Sequence, residues 1–220
     1  MKLYYANIND FNKEPYFINS IISSDKIKLL KKLRNEDDRK RCWISGIMVF
    51  FIINLGNIDN LCKSEKGKPF IKDKNIHFNV SHSGDYVVLV KNDEEVGVDL
   101  EKAVSFNHSK LVYEVFHKDE INIFNKYKNN SCFYKIWTRK ESFLKWSGIG
   151  IEANLKGFST VGNQKNTYDC KIGTFDFKDD YFISICSNKH ENCHIYRFNK
   201  ELKTVYESVK PFREIQYEIK

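Results

Sequence analysis

Glu95-Val96-Gly97-Val98-Asp99-Leu100-Glu101-Lys102 is the stretch on which the reading of this chain turns. Val96, Val98 and Leu100 alternate with Gly97, Asp99 and Glu101, the period of two that marks a strand. That alternation predicts Asp99 and Glu101 on one strand face, opposite the apolar core residues. Farther along, Trp137-Thr138-Arg139-Lys140-Glu141-Ser142-Phe143-Leu144-Lys145 has a helical pattern. Glu141 and Lys145 stand one helical turn apart there and share a face. If the strand end meets the helix, three carboxylates and an ammonium converge. Hard oxygen donors suit Mg²⁺, which keeps several waters and binds substrate phosphates through one or two carboxylates. The two segments together read as a metal-assisted site for phosphate chemistry.

Working outward, residues 76–80, 86–91 and 95–100 read as three short strands. Ser83-Gly84-Asp85 and Asn92-Asp93 mark the turns between them, which predicts an antiparallel meander. Upstream, residues 1–8 read as a first strand, and Ser23-Ser24-Asp25 caps a helix running through Lys28 and Leu33. A second helix starts near Asn35 to Asp38 and carries Trp43, Ile47, Phe50 and Phe51 inward. Gly67-Lys68-Pro69 is a turn. The second half repeats the order. Helices are expected over 110–116 and 119–127, then a strong one over 132–146 with Phe133, Ile136, Trp137 and Leu144 on one side. Strands follow near 158–161, 168–175, 181–186 and 195–198. Helices followed by a small sheet, twice, predict an α+β architecture of two similar halves with the acidic clusters near their junction. The expected boundaries are 1–103, 104–202 and a charged, weakly periodic tail over 203–220.

The bulk properties narrow the function classes. A chain of 220 residues, 41% hydrophobic and 30% charged, buries a core and is not disordered as a whole. The net charge of +7 is concentrated early, in Lys26, Lys28, Lys31, Lys32, Arg34, Arg39, Lys40 and Arg41. Such a run fits a polyanionic ligand, an acidic protein partner or nucleic acid; the plain alternative is a solvated helix face. The six cysteines form no C-x-x-C pair, and the N-terminus carries no apolar signal region. The most apolar run, over 43–55, is too short to span a bilayer. An intracellular, reduced, cytoplasmic protein without membrane segments is expected.

The residues now become recognisable. The chain resembles the 4′-phosphopantetheinyl transferases of the longer, surfactin-synthetase-activating type. Three blocks, in order and at matching spacing, carry the likeness: Gly67-Lys68-Pro69 with Phe78-Asn79-Val80-Ser81-His82-Ser83, then Val96 to Glu101, then Trp137 to Lys145. Weaker agreement runs through Ser24-Asp25-Lys26, Arg41 and Val115 to Glu120. The resemblance implies transfer of the phosphopantetheine arm of coenzyme A to a serine of an apo acyl, peptidyl or polyketide carrier protein, releasing 3′,5′-ADP. It also implies a monomeric pseudo-dimer of two α/β halves, with the active site in the cleft between them.

The same resemblance implies residue roles. Asp99, Glu101 and Glu141 match the family's ligands for Mg²⁺, with Mn²⁺ as the substitute. Glu141 helps deprotonate the attacking serine, and Lys145 stabilises the pyrophosphate or protonates the departing phosphate. Ser81 and His82 match the pair that binds phosphates of coenzyme A, Lys68 faces the nucleotide, and Arg41 and Lys26 match basic positions near the 3′-phosphate. Leu29 departs from the family, which has a basic residue there. Phe116, Ile121 and Phe124 are expected to offer an apolar surface to a carrier helix.

Each assignment has a plainer rival: a strand edge for Asp99 and Glu101, and a surface Glu-Lys pair for Glu141 and Lys145. Ser81 with His82 as nucleophile and base is a poor reading, because adjacent strand residues point to opposite faces. Cys186, His190, Cys193 and His194 invite a zinc reading, but their spacing fits a hairpin between two strands better. Two other functions compete. A metal-dependent nuclease fits the positive charge, but its core needs an acid-x-lysine triplet and position 103 is Ala. A non-catalytic coenzyme A or nucleotide-binding module keeps Lys68, Ser81 and His82 but has no use for three acids together.

Overall fold

The computed structural model describes residues 1–105, 107–150, 154–161, 169–189 and 192–210. In chain order the elements are β1 (Lys2–Asn7), α1 (Ile18–Ile21), α2 (Ser24–Lys32), α3 (Glu36–Ile52), β2 (Leu61–Lys63), β3 (Pro69–Ile71), β4 (His77–Ser83), β5 (Tyr86–Asn92) and β6 (Val96–Lys102). They continue with α4 (Ser109–Val115), α5 (Lys118–Tyr127), α6 (Asn130–Ser147), β7 (Lys171–Phe177), β8 (Tyr181–Ser187), β9 (Cys193–Phe198) and β10 (Thr204–Lys210). The fold class is α+β, with helices and small, mainly antiparallel sheets.

Two compact units divide the chain. The first takes Met1–Glu95 and takes back the chain from Asn192; the second starts at Val96. The cut therefore falls before β6, not near 103, because β6 leaves the expected meander. β4 and β5 do pair antiparallel, but β6 pairs with β8 instead. The first unit also reclaims the end of the chain. β9 runs parallel to β1, and β10, in the segment expected to be a tail, pairs with β9.

In the first unit the described strands order as β10-β9-β1-β5-β4, with β2-β3 a separate ribbon. α3 lies over this sheet. Asn35 caps it by accepting from the Asp38 amide at 3.0 Å, and every residue from Cys42 to Val49 is buried. A helix apolar on all sides belongs inside a core, here with Ile8, Phe11, Leu89 and Phe198. Phe50 is half-buried, but Phe51, expected inward, is 40% exposed because it lies past the buried arc.

In the second unit the described strands order as β6-β8-β7, and α6 packs on them. Asn129 caps α6 by accepting from the Cys132 amide at 2.8 Å, and Gly148 ends it at a φ of 67°. The close seat of α6 on β6 depends on Gly97. A Cβ there would fall inside the Ser142 carbonyl oxygen and the Trp146 amide nitrogen. Residues 158–161, expected to be a strand, form none; Ser159, Thr160 and Val161 are buried, and Phe158 and Thr160 serve as hydrogen-bond partners for α5 and α6. Cys186 sits in β8 and Cys193 in β9, strands of different sheets, so the expected hairpin does not form; His190 lies outside the described residues. Among the described residues no helix is long and apolar enough to cross a membrane.

Candidate active site

β6 presents Asp99 and Glu101 to one side, opposite Ser184 and Phe182 of β8. That side is not a solvated edge. α6 covers it, so Asp99 is only 3% exposed while Val96, Val98 and Leu100 are also fully buried. From α6, Lys145 donates to Asp99 Oδ1 at 2.6 Å. Glu141 sits one turn earlier and is half-buried. Burial pushes its carboxyl above the ordinary glutamate value, Asp99's charge pushes it further, and Lys145 partly offsets both. Asp99, Glu141 and Lys145 thus meet where strand and helix touch, two of the three carboxylates expected there. Glu101 follows on the same strand face and is half-buried.

Among the described residues no three His, Cys, Asp or Glu side chains stand together at ligating spacing. Two carboxylates are nevertheless close enough to raise one of them, with a lysine ammonium lodged against the other. Crowded carboxylates held beside a cation fit a hard divalent ion by charge and donor type.

The neighbours of Glu141 on α6 do different work. Lys140 is fully buried, donating to Glu120 Oε2 at 2.7 Å and to the Phe158 carbonyl at 2.8 Å. Glu120 in turn accepts from the Thr160 amide and hydroxyl, both at 2.8 Å, and from the His117 amide at 2.9 Å, completing the capping box of α5. Arg139 is buried too, giving its guanidinium to the carbonyls of Thr160 and Ile172 and to Thr174 Oγ1. Thr138, Ser184 and Thr174 form a hydroxyl chain with 2.8 Å links between α6, β8 and β7. Sequence reasoning missed Arg139 and Glu120. For Arg139 the one available signal was three consecutive charged residues, Arg139 to Glu141, in the middle of α6. Of the three residues expected to face a carrier, Phe116 is interior at 1% exposed, while Ile121 and Phe124 are half-buried against the same core. Trp137, read as core, is half-buried against that cluster, and Trp146 against its neighbour.

In the first unit, Lys68 precedes β3 and its ammonium lies 2.5 Å from Glu95 Oε2. Glu95 Oε1 lies 3.1 Å from His77 Nδ1. These residues, with Ser64, Pro69, Phe70, Ile76 and Phe78, line a recess of about 150 Å³. On β4, Ser81 is buried and His82 exposed, so the two face opposite ways and cannot act as nucleophile and base. Arg41 donates to the Gly84 carbonyl and Asp38 from α3. Lys26 lies along the same helix at Gly46, and burial lowers its ammonium from the ordinary lysine value.

A buried aspartate, a raised glutamate and a lysine meet at this strand–helix junction, a charge set that suits phosphate chemistry. Comparison with known proteins makes the class specific. Residues 95–205 match the family model of the 4′-phosphopantetheinyl transferase superfamily, and residues 10–94 match that of the 4′-phosphopantetheinyl transferase N-terminal region. The chain belongs to the 4′-phosphopantetheinyl transferase superfamily. It is 29% identical over 186 residues to the 4′-phosphopantetheinyl transferase ffp of Bacillus subtilis, covering 76% of this chain and 83% of that one. Over 159 residues it is 33% identical to the transferase gsp of Aneurinibacillus migulanus, covering 69% and 66%. Over 185 residues it is 27% identical to the transferase Sfp of Bacillus subtilis strain 168, covering 76% and 83%.

Proposed function

We propose that this enzyme transfers the 4′-phosphopantetheine arm of coenzyme A to a serine hydroxyl of an apo acyl, peptidyl or polyketide carrier protein, releasing 3′,5′-ADP. The observation that carries the reading is the junction of Asp99, Glu141 and Lys145, inside the stretch matched by the superfamily model. The alternatives lose support for the same reason. A binding module has no need of such a junction, and a nuclease is not what the relatives are named.

Asp99, Glu101 and Glu141 are the residues that would hold Mg²⁺. Bound there, the cation would neutralise the pyrophosphate so that an oxygen nucleophile can approach. Glu141 takes the proton of the carrier serine, directly or through water; beside the cation it would stay ionised, as a base must. The serine oxygen bonds to the β-phosphorus as the bond from that phosphorus to the bridging oxygen breaks. Lys145 stabilises the charge that develops on the departing phosphate. In the first unit, Lys68, Ser81, His82, Arg41 and Lys26 hold the nucleotide and its phosphates. The basic excess speeds encounter with an acidic carrier. One chain supplies both sets of residues, which fits a cytosolic monomer.

Intact-mass spectrometry of apo carrier proteins incubated with enzyme, coenzyme A and Mg²⁺ tests this. The expected result is a gain of one phosphopantetheine, abolished in Asp99→Ala. No gain with wild-type enzyme on any of the three carrier classes would overturn the proposal.

A further inference from the structure

Glu95 belongs to none of the three sequence blocks that carry the family likeness; it immediately precedes Val96, just as His77 immediately precedes Phe78. Yet the fold brings Glu95, His77 and Lys68 to one recess. The Lys68 side chain is only 16% exposed, and Glu95 is half in solvent at 51%. The carboxylate therefore reaches in from outside to meet a largely covered ammonium. Its second oxygen faces His77, which gives the carboxylate a place to stay if Lys68 turns to another anion.

We propose that Glu95 is a built-in counter-anion that competes with coenzyme A for Lys68 and so sets the enzyme's affinity for this co-substrate. The inference rests on the reading of Lys68 as a nucleotide contact. An anionic ligand reaching Lys68 has to displace Glu95, which then stays beside His77. A pair with one partner in solvent is weak by itself, so the displacement is reversible. Carrier binding does not draw on this contact, so the effect is confined to coenzyme A and its nucleotide product.

Glu95→Gln keeps the size and hydrogen-bonding ability of the side chain and removes its charge. The expected result is a fall of about three- to tenfold in the KM for coenzyme A and in the calorimetric Kd for 3′,5′-ADP. The KM for carrier and the single-turnover rate at saturating coenzyme A stay at wild-type values. In the Lys68→Met background the same substitution leaves Kd unchanged. Glu95→Asp, which draws the charge back by one methylene, gives a smaller gain in the same direction and serves if the glutamine variant folds poorly. Unchanged or weakened nucleotide affinity in Glu95→Gln, or a gain that persists in the Lys68→Met background, overturns the inference. Wild-type enzyme that binds neither coenzyme A nor 3′,5′-ADP would instead remove the underlying reading, and the inference with it.

Discussion

Helix α6 carries two lysine–carboxylate pairs little more than a turn apart, and they differ in almost everything but length. Lys140 meets Glu120 at 2.7 Å with both side chains fully buried, held by the Phe158 carbonyl, Thr160 and the His117 amide. Lys145 meets Asp99 at 2.6 Å, but its side chain remains 29% exposed, and Glu141 beside it is a carboxylate raised by crowding. The first pair is closed: its lone pairs and protons are consumed within the fold. The second keeps charge at an accessible surface, with a like-charged neighbour that a cation would relieve. Proximity of opposite charges is therefore no guide to function. What separates scaffold from site is whether the fold has already satisfied the groups.

The largest expected break in this comparison is Glu141→Gln. Carrier modification should fall by about a thousandfold or more, equivalent to about 4 kcal/mol of barrier, while the melting temperature holds or rises because a crowded charge is gone. Single-turnover mass spectrometry and calorimetry read the two together. On the closed side, Lys140→Met strands Glu120 as a buried charge and should cost about 3–5 kcal/mol of stability. Adding Glu120→Gln should restore part of it, because the amide removes the stranded charge while its oxygen still accepts from Thr160, which denaturant titration of the single and double variants would show. Loss of activity without loss of stability in Lys140→Met would make that pair part of the site and collapse the distinction. Gly97→Ala forces β6 away from α6 and should cost about 2–3 kcal/mol, with activity falling alongside stability, as melting and rate measurements on one sample would show. The smallest effect belongs to Lys145→Met. It should lower kcat about thirtyfold, or about 2 kcal/mol, with some loss of melting temperature, since the buried Asp99 carboxylate loses its cation.

Much of the site was legible before the structure. Asp99 with Glu101 and Glu141 with Lys145 announce themselves because charges at strand and helix periods within apolar segments need a reason. Asp99's burial was not legible. Period two distinguishes the faces of a strand but does not reveal that a helix covers the second face; Gly97, the residue that admits that helix, reads merely as a small gap in the pattern. Arg139 and Lys140 were opaque for a related reason: a long polar side chain reads as exposed until its partners, here from α5, β7 and the 154–161 segment, come from far along the chain. The strands themselves were mostly found. Their pairing was not, because short turns on both sides of β5 favour a meander, and nothing local tells β6 to seek β8. Lys68 was legible from its turn, but Glu95, its partner from β6's threshold, was hidden by the sequence distance between them.

The parallel pairing of β9 with β1 has a consequence for how this protein is made. β9 leaves the ribosome after both β1 and β5, so until it emerges β1 has only β5 to pair with. Every strand of the β6-β8-β7 sheet has emerged before β9 appears. The β6-β8-β7 sheet is thus able to close while β1 still holds an unclaimed edge.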